Sequence, residues 1–501
     1  MKDKLNKLAY RILGMKQGEE LKATEAYSYS IAGFGQNLVC GLIGSSYLVY
    51  YFTNGLLINP VVVGFIMLFT RLFDAFNDPI MGSIVDRTRT RWGKCRPYLL
   101  WTPIPIAILT ACIFLPLPPH VTSTAIIATA IYVLWSIIYT IVDVPYWGLA
   151  TQMTANTHTR GSILTVARLF CTVGSGLISL VIPSLLGSWL GNMQDANGRI
   201  IVGYEEQAAQ VLRQRFIWVA VVIAALSIVP FFLGFKNTKE RFYTNDKPKS
   251  LGHNLKLLIK NKPLLIIICS GVLGAAKMMT IYSGIYFCEY ALGNVNFFGM
   301  HGIGLHTVVT LSVVPGGLIA TVLTPLCTRK FGKKATFIVS NLVGGVVLIL
   351  VWIIGYDAPW KLIIALFGLI ISGVPQGFGN IISYAMIGDT VDYLDLHYRE
   401  RAEGICFAMQ TFMNKVGMAL GAAVSAFGLS WAKINPDDMA TVTTQGLNTL
   451  WAVTVLLAGV SMVLTTIPMF FYKFTEKEQR KAIEEIEARK LREATPAETN
   501  A

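Results

Sequence analysis

Four ionisable side chains lie within stretches that are apolar enough to cross a membrane. The segment TRLFDAFNDPIMG carries Arg71, Asp74 and Asp78, and at about 100° per residue all three fall on one face of a helix. The segment YTIVDVPYW carries Asp143. A charge at the centre of such a helix costs about 2.5–3.5 kcal/mol. These groups must therefore face one another, water or a ligand.

The residue types around these acids indicate which ligand. Asn77 lies at the edge of the Asp74 face, and Thr140 lies beside the face of Asp143. Carboxylate, hydroxyl and amide oxygens suit hard cations, and carboxylates also take protons. The predicted cation site consists of Asp74, Asp78, Asp143, Thr140 and Asn77. Na⁺ and H⁺ fit it equally, and the alternative is an ion-pair network that only holds helices together.

The charges inside apolar segments are too numerous to be incidental. The basic ones are Arg71, Arg168, Lys277 and Lys415. Together with the three aspartates they would cost on the order of 20 kcal/mol if isolated. The net stability of a domain is only about 5–15 kcal/mol. Ionisable residues within a membrane usually serve function, so a site is favoured over a structural network.

Helices that cross a membrane must position these residues. The chain of 501 residues is 53% hydrophobic and only 14% charged, and its mean hydropathy is +0.54. Apolar runs of spanning length recur about twelve times. They lie near residues 27–53, 60–85, 98–118, 122–151, 161–188, 216–235, 263–288, 303–328, 335–356, 360–388, 403–431 and 447–472.

The distribution of basic residues predicts the orientation of the chain. If the N-terminus is cytoplasmic, most of the 42 Lys and Arg residues lie on the cytoplasmic side, as the positive-inside rule requires. The opposite side receives only Arg199, Arg213, Arg215, Lys361 and Lys433. Both termini are then cytoplasmic. Topology accounts for the net charge of +13, so nucleic acid is not an expected partner. The eight scattered cysteines indicate neither a disulfide framework nor a metal site.

The two halves of the chain resemble each other. GSIVDRTRTRWGKCRPY follows the second span and TPLCTRKFGKKAT follows the eighth, about 240 residues later, a spacing of roughly half the chain. We predict a six-helix bundle over 1–235 with an N-terminal tail over 1–26, a cytoplasmic linker over 236–262, a second bundle over 263–472 and a tail helix over 473–501. A duplicated six-helix unit is the architecture of the major facilitator transporters.

Several motifs resemble one family of such transporters. RLFDAFNDPIMG, DRTRTRWGKCRPY, YTIVDVPYWGL, GDTVDYLDL and MQTFMNKVG are similar, in the same order, to segments of the glycoside–pentoside–hexuronide:cation symporters. The resemblance implies that the predicted cation residues belong to the coupling-cation region. It implies that Trp147 and Arg168 contact sugar and that Lys415 lies between the sugar and cation sites. Tyr139 shares the helix face of Asp143 and Trp147, and we include it among the substrate-binding candidates.

The sequence departs from the melibiose permease of that family. Gln36 and Asn37 stand where that permease has a lysine and a sugar-binding aspartate. PQGFGNIISY offers Asn380 but no tryptophan in the tenth span. With Lys277 in the seventh span, these changes make the expected cavity more positive. We therefore expect a substrate that carries a negative charge, such as a hexuronide or a sulfonated sugar; the alternative is that Lys277 pairs with a carboxylate or extends to the membrane surface.

The basic loops are candidate gates. Residues 86–97 and 329–334 are rich in Lys and Arg and are expected to contact acids at the cytoplasmic side. The residues assigned to coupling or gating are Arg71, Lys415, Asp86, Arg96, Asp389 and Asp392. The positive-inside rule alone also explains why these loops are rich in Lys and Arg.

The sequence thus predicts an all-α, multi-pass protein of the cell membrane that couples sugar uptake to Na⁺ or H⁺ by alternating access. A cation-coupled lipid or lysolipid carrier is the alternative, and a flux-free sensor is a third class. The chain lacks zinc-protease, nucleophile-elbow and phosphate-loop motifs, so we do not expect an enzyme. The expected partners are a sugar, the transported cation and membrane lipid, with no cofactor and a monomeric functional unit.

Overall fold

The computed structural model describes most of the chain, and the described part is almost entirely helical. It covers residues 21–44, 46–119, 122–154, 157–194, 200–241, 251–292, 295, 301–400 and 403–494. Nine helical segments within these residues are long and apolar enough to cross a membrane. Further helices occupy 23–43, 46–55, 60–87, 96–101 and 103–113, where the first three spans are predicted.

Within the described residues, the first half of the chain forms eight α-helices. They are α1 (Ala23–Ile43), α2 (Ser46–Tyr50), α3 (Pro60–Arg87), α4 (Arg96–Trp101), α5 (Pro103–Ile113), α6 (Thr122–Met153), α7 (Thr157–Leu190) and α8 (Glu205–Asn237). A π-helical segment, Tyr51–Gly55, continues α2. Pro145 lies inside α6, which nevertheless continues as a helix to Met153.

The described part of the second half contains twelve α-helices, several of them short because two of the predicted spans are interrupted. They are α9 (Leu251–Lys260), α10 (Lys262–Leu273), α11 (Met279–Tyr282), α12 (Gly284–Ala291), α13 (Leu305–Phe331), α14 (Lys333–Ile354), α15 (Pro359–Tyr398), α16 (Glu403–Trp431), α17 (Thr444–Trp451), α18 (Leu457–Leu464), α19 (Thr466–Phe470) and α20 (Glu476–Ala494). A 3₁₀ segment, Ala275–Met278, interrupts the predicted seventh span, and a π-helical segment, Ala452–Leu456, interrupts the twelfth.

The helices form two compact units. Unit 1 comprises 1–248, 285–307 and 422–447, and unit 2 comprises 249–284, 308–421 and 448–501. Unit 1 thus takes in two segments from the second half of the chain. The predicted boundaries of the two six-helix halves and of the linker stay a prediction.

Local sequence explains where two spans begin. Asn59 accepts a hydrogen bond from the backbone N–H of Val61, and Pro60 occupies the first turn of α3. Asn261 accepts in the same way from the N–H of Leu264 at the start of α10. An asparagine cap followed by proline satisfies one of the free N–H groups of a first turn and presets its backbone angle.

Glycine allows α1 and α7 to approach within backbone contact in unit 1. A Cβ atom on Gly174 would lie 2.7 Å from the carbonyl oxygen of Phe34, which is closer than real Cβ atoms come. This close approach matters for the site because α7 also carries Arg168 and α1 carries Gln36 and Asn37.

One glutamate in each unit fastens the basic loop of that unit. Glu240 accepts backbone hydrogen bonds from Lys94, Cys95 and Arg96 at 2.9, 2.8 and 2.7 Å. Glu476 accepts the backbone N–H of Lys333. Each loop turns at a glycine with positive φ, 109° at Gly93 and 83° at Gly332. The similarity of the two loops therefore extends to an acidic partner that the sequence comparison did not identify.

Gly174→Ala is expected to lower stability by about 1–3 kcal/mol, because the added methyl group forces α7 away from α1. Thermal unfolding of the purified protein measures the change. Gly176→Ala on the same helix is the matched control, since its Cβ would meet nothing within 4 Å. Equal unfolding temperatures for the two variants would show that the close approach is not required.

Candidate functional site

The acidic face of α3 packs against α6. An Arg71 Nη1 atom lies 3.7 Å from Asp74 Oδ2, and Asp74 is only 3% exposed. Ser136 on α6 donates its hydroxyl hydrogen to Asp74. The Arg71 guanidinium also lies 5.8 Å from the ring centroid of Tyr132. Asp74 is thus held by a cation on its own helix and a hydroxyl group on the neighbouring one.

The contacts set a parallel register between the two helices, because Arg71 meets Tyr132 and Asp74 meets Ser136 one turn later. Continued by one more turn of about four residues, this register brings Asp78 level with Thr140. Two polar atoms along this stretch, Asn77 Nδ2 and Thr140 Oγ1, are buried without a hydrogen-bond partner. Such atoms cost about 1–3 kcal/mol each, so they identify a place where a polar ligand or cation would be stabilised.

Asp143 is surrounded by different donors. Gln36 Nε2 on α1 donates to Asp143 Oδ1 at 2.5 Å, and Trp147 Nε1 donates to the same oxygen at 3.0 Å. Gln36 also lies 3.3 Å from the hydroxyl oxygen of Tyr139, while its own Oε1 is buried without a partner. The predicted shared face of Tyr139, Asp143 and Trp147 is therefore joined to α1 through Gln36.

An arginine and a tryptophan form the neighbouring surface. The Arg168 guanidinium lies 4.7 Å from the ring centroid of Trp147, and the Arg168 side chain is exposed. Asn37 donates to the carbonyl oxygen of Gly33 on its own helix at 3.1 Å. An aromatic face beside a guanidinium and a carboxylate suits a sugar, whose C–H face packs on the ring while its hydroxyl groups bind the charges.

The three aspartates do not meet in one cluster. Within the described residues, no group of three or more His, Cys, Asp or Glu side chains is arranged to hold a metal ion. The expected three-carboxylate cage of Asp74, Asp78 and Asp143 is therefore not assembled in this structure. The reason is axial separation on α6, because Asp74 lies beside Ser136, about two turns before Asp143.

Unit 2 contains Lys277, which lies on the 3₁₀ segment that interrupts the seventh span. The part of the chain that the structure describes offers it neither a hydrogen bond nor an ion pair. Its Nζ atom lies 3.9 Å from the position that a Cβ atom on Gly379 would occupy. Asn380, the next residue on α15, is exposed, and Lys415 lies on α16 of the same unit.

The predicted gating residues make local contacts. Lys333, from the basic loop 329–334, donates to both oxygens of Asp389 at 2.8 and 2.6 Å. Asp392 accepts from Gln479 on α20 at 3.0 Å. Arg96 donates to the carbonyl oxygen of Phe235 at 2.7 Å. The side chain of Asp86 lies outside the described residues. The gating roles of these residues stay predictions.

Sequence reasoning missed two residues for which a signal existed. Ser136 lies four residues before Thr140 on the same face of α6, so the helical period already pointed to it. Glu289 lies just beyond the predicted end of the seventh span, but the helical structure continues to Ala291 and encloses it. Glu289 is therefore a buried acid that the sequence prediction did not include.

Taken together, the spans, the buried charges and the aromatic–guanidinium surface define a polytopic membrane transporter. The family model described as MFS/sugar transport protein matches residues 28–476. The chain belongs to this family, which is a branch of the major facilitator superfamily. It is therefore a sugar transporter of the symporter type and not an enzyme, and its predicted all-α transporter fold is confirmed.

Individual relatives agree with the family. The chain is 29% identical to the isoprimeverose transporter of Lactiplantibacillus pentosus, a match that covers 94% of this chain and 92% of that protein. It is 28% identical to the glucuronide carrier protein homolog of Escherichia coli K12, over 94% and 97% of the two chains. The crystal structure of the nucleoside transporter NupG shares the fold, with a TM-score of 0.58, 17% identity and coverage of 90% and 100%.

Trp147→Phe keeps the aromatic face but removes the N–H donor to Asp143. We expect the KM for sugar uptake to rise roughly 10- to 100-fold, because the indole N–H orients the Asp143 carboxylate toward the sugar and a hydrogen bond to a charged group contributes about 1.5–3 kcal/mol. Trp135→Phe is the control, since this residue on the same helix donates to Thr110 instead. Equal KM values for Trp147→Phe and Trp135→Phe would show that the indole N–H of Trp147 does not contribute to sugar binding.

Proposed function

We propose that this chain takes up an anionic sugar or glycoside together with Na⁺ or H⁺ by alternating access. Membership of the sugar-transport family supports the reaction class. The observation that supports an anionic substrate is Lys277, an ammonium group within a span that pairs with no acid among the described residues. A substrate carboxylate or sulfonate would supply the missing counter-charge.

The neighbourhood of Lys277 supports a binding role. Interrupted helices in transporters commonly mark substrate sites, because their freed backbone groups and ends face a polar cavity. Gly379 has no side chain, so space remains beside the ammonium group. The sequence independently favours an anion, because Asn37 carries no charge where the melibiose permease has an aspartate. One relative is named as a glucuronide carrier homolog, and glucuronides carry a carboxylate.

Coupling is proposed to act through the α3–α6 acids. A cation shared by Asp78 and the oxygen of Thr140, or a proton on Asp78, would neutralise charge between the two helices and satisfy polar atoms that are otherwise without partners. The oxygens of Asp143 would then be available to accept hydrogen bonds from the sugar, because the cation or proton is bound at Asp78. Linkage requires that the cation and the sugar raise each other's affinity by the same factor.

The location and functional unit of the protein are proposed from its sequence. The Lys and Arg asymmetry supports a plasma or inner membrane location with both termini cytoplasmic. We propose a monomeric functional unit with no resident cofactor, in which the cation is cargo.

Lys277→Gln tests the anionic substrate. With methyl β-glucuronide and methyl β-glucoside as probes that differ at a carboxylate, we expect the apparent affinity for the glucuronide to fall roughly 10- to 100-fold, the usual effect of losing a charged partner. The glucoside should change little. Inhibition of uptake by each probe in proteoliposomes gives both values.

Two matched variants complete the experiment. Lys277→Arg keeps the charge and should retain preference for the glucuronide. Lys361→Gln removes a lysine that already pairs with Asp357 at 2.6 Å near the start of α15, and should leave both probes unchanged. A wild-type protein that prefers the glucoside would refute an anionic substrate while leaving the sugar symporter assignment intact.

Asp78→Asn tests the coupling. We expect cation-driven accumulation of sugar to disappear while sugar exchange down its own gradient persists, because the amide keeps the shape but cannot bind a cation or proton. Accumulation and counterflow are measured in the same vesicles with imposed Na⁺ or pH gradients. Asp357→Asn, at an exposed position, is the control. Normal concentrative uptake by Asp78→Asn would exclude Asp78 from coupling.

A lipid or lysolipid carrier is the second candidate. An open groove of about 450 Å³ runs between α3 and α6, and its lining is almost wholly apolar. It is lined by Val62, Phe65, Ile66, Phe69, Thr70, Phe73, Thr129 and Val133. Such a surface suits acyl chains, and the bilayer itself also satisfies it. Competition of sugar uptake by a lysophospholipid separates the two functions.

A further inference from the structure

Unit 1 encloses a glutamate that the proposed coupling does not use. Glu289, near the end of α12, is only 1% exposed. Both of its carboxyl oxygens contact the segment that follows α1. The hydroxyl group of Tyr50 donates to Oε1 at 2.7 Å, and Asn54 Nδ2 lies 3.3 Å from Oε2.

Further hydrogen bonds extend this contact. Asn54 Nδ2 also donates to the hydroxyl oxygen of Tyr290 at 2.9 Å. Thr53 Oγ1 lies 2.8 Å from the hydroxyl oxygen of Tyr286. We call the six residues the Glu289 cluster: Tyr50, Thr53, Asn54, Tyr286, Glu289 and Tyr290. Within unit 1 the cluster joins two segments that are more than 230 residues apart in sequence.

No cation balances Glu289 in the described part of the chain. The titratable groups around it are the phenols of Tyr50, Tyr286 and Tyr290. Arg213 on α8, the arginine bound to the same turn, donates to the carbonyl oxygen of Gly55 and pairs with Glu206.

His306 lies with its ring against Tyr47. An ionised carboxylate that is removed from water without a counter-charge is costly, whereas a protonated carboxyl group with hydrogen-bond partners is not. The closed cluster is therefore compatible with a neutral Glu289.

The backbone beside the cluster is suited to rearrangement. Residues Tyr51–Gly55 form a π-helical turn, and Leu57 has a φ of 51°, a left-handed conformation that is unfavourable for a branched side chain. Conformations of this kind persist only while surrounding contacts hold them. The Glu289 cluster joins this turn to α12.

We propose that Glu289 is a proton-binding site whose protonation holds the 50–54 and 286–290 segments together. The proton is taken from water by the carboxylate as the segments close and is returned when they separate and the carboxylate is hydrated. This goes beyond the proposed coupling at Asp78, because the proton on Glu289 controls a conformational step and need not be transported with the sugar.

The direction of the pH effect follows from linkage. The closed form binds a proton and the separated form releases it, so acid favours closure and alkaline pH favours separation. A transporter that must open at this end would therefore slow down in acid whichever cation it co-transports.

Thiol labelling tests the proposal. Thr53→Cys places a thiol between the two segments, next to Tyr286. The purified full-length protein is labelled with a bulky, charged maleimide, and the same protein without the substitution serves as the blank for the native cysteines. The rate is compared with that of a Thr53→Cys, Glu289→Gln double variant at each pH, which cancels the pH dependence of the thiol itself.

The labelling rate of Thr53→Cys, divided by that of the double variant, is expected to rise at least about fivefold from about pH 5.5 to about pH 8.5. Only the protein that retains Glu289 can lose the proton and separate the two segments. The glutamine variant, which resembles the protonated acid, should stay slow. A ratio that does not change with pH overturns the proposal.

A second pair of variants does not depend on the folding of Glu289→Gln. Tyr50→Phe removes a donor to Glu289 and should speed labelling several-fold at acid pH. Tyr51→Phe is the control, because Tyr51 is the adjacent residue and equally buried, but its hydroxyl group donates to the carbonyl oxygen of Leu115. Equal labelling of these two variants would also overturn the proposal. Loss of cation-driven accumulation at every pH in Asp78→Asn, with the labelling profile unchanged, would separate this site from the coupling site.

Discussion

The scarcity of water inside the helical body is the constraint on which the rest of the structure depends. Each intramembrane charge must find its partner in protein or in cargo. Asp74 has Arg71 and Ser136, and Asp143 has Gln36 and Trp147. These pairings connect α1, α3 and α6, so the same interactions that make the charges tolerable also position the candidate site.

The acids differ in their partners: Asp74 has a cation and a hydroxyl group, whereas Asp143 has the neutral donors Gln36 and Trp147. A carboxylate that is held by hydroxyl, amide and indole donors is less strongly neutralised than one in a close ion pair. A cation or a sugar hydroxyl can therefore compete for it. Lys277 represents the opposite case, a buried basic group with no acid near it among the described residues.

The repeated loops show the same principle at the ends of the helices. Glu240 and Glu476 each receive backbone N–H groups from a basic loop in their own unit. The acid follows the last predicted span of each half, and the loop follows the second. Each glutamate therefore ties a basic loop to a distant part of the chain within the same unit.

By itself, the sequence determined the membrane class, the approximate positions of the spans, the intramembrane acids and the family. These follow from composition and helical period, which are local properties of the chain. It also indicated that Tyr139, Asp143 and Trp147 share a face, because that depends on one helix only.

Only the tertiary structure decided which helices bring donors to each acid. Gln36 reaches Asp143 and Ser136 reaches Asp74 because of the register in which α1, α3 and α6 pack, and no periodicity within one helix encodes that register. The same register places Asp74 about two turns of α6 away from Asp143, although the sequence had grouped both with Asp78 in one cage. It also explains Glu289, whose burial depends on a partner segment more than 230 residues away.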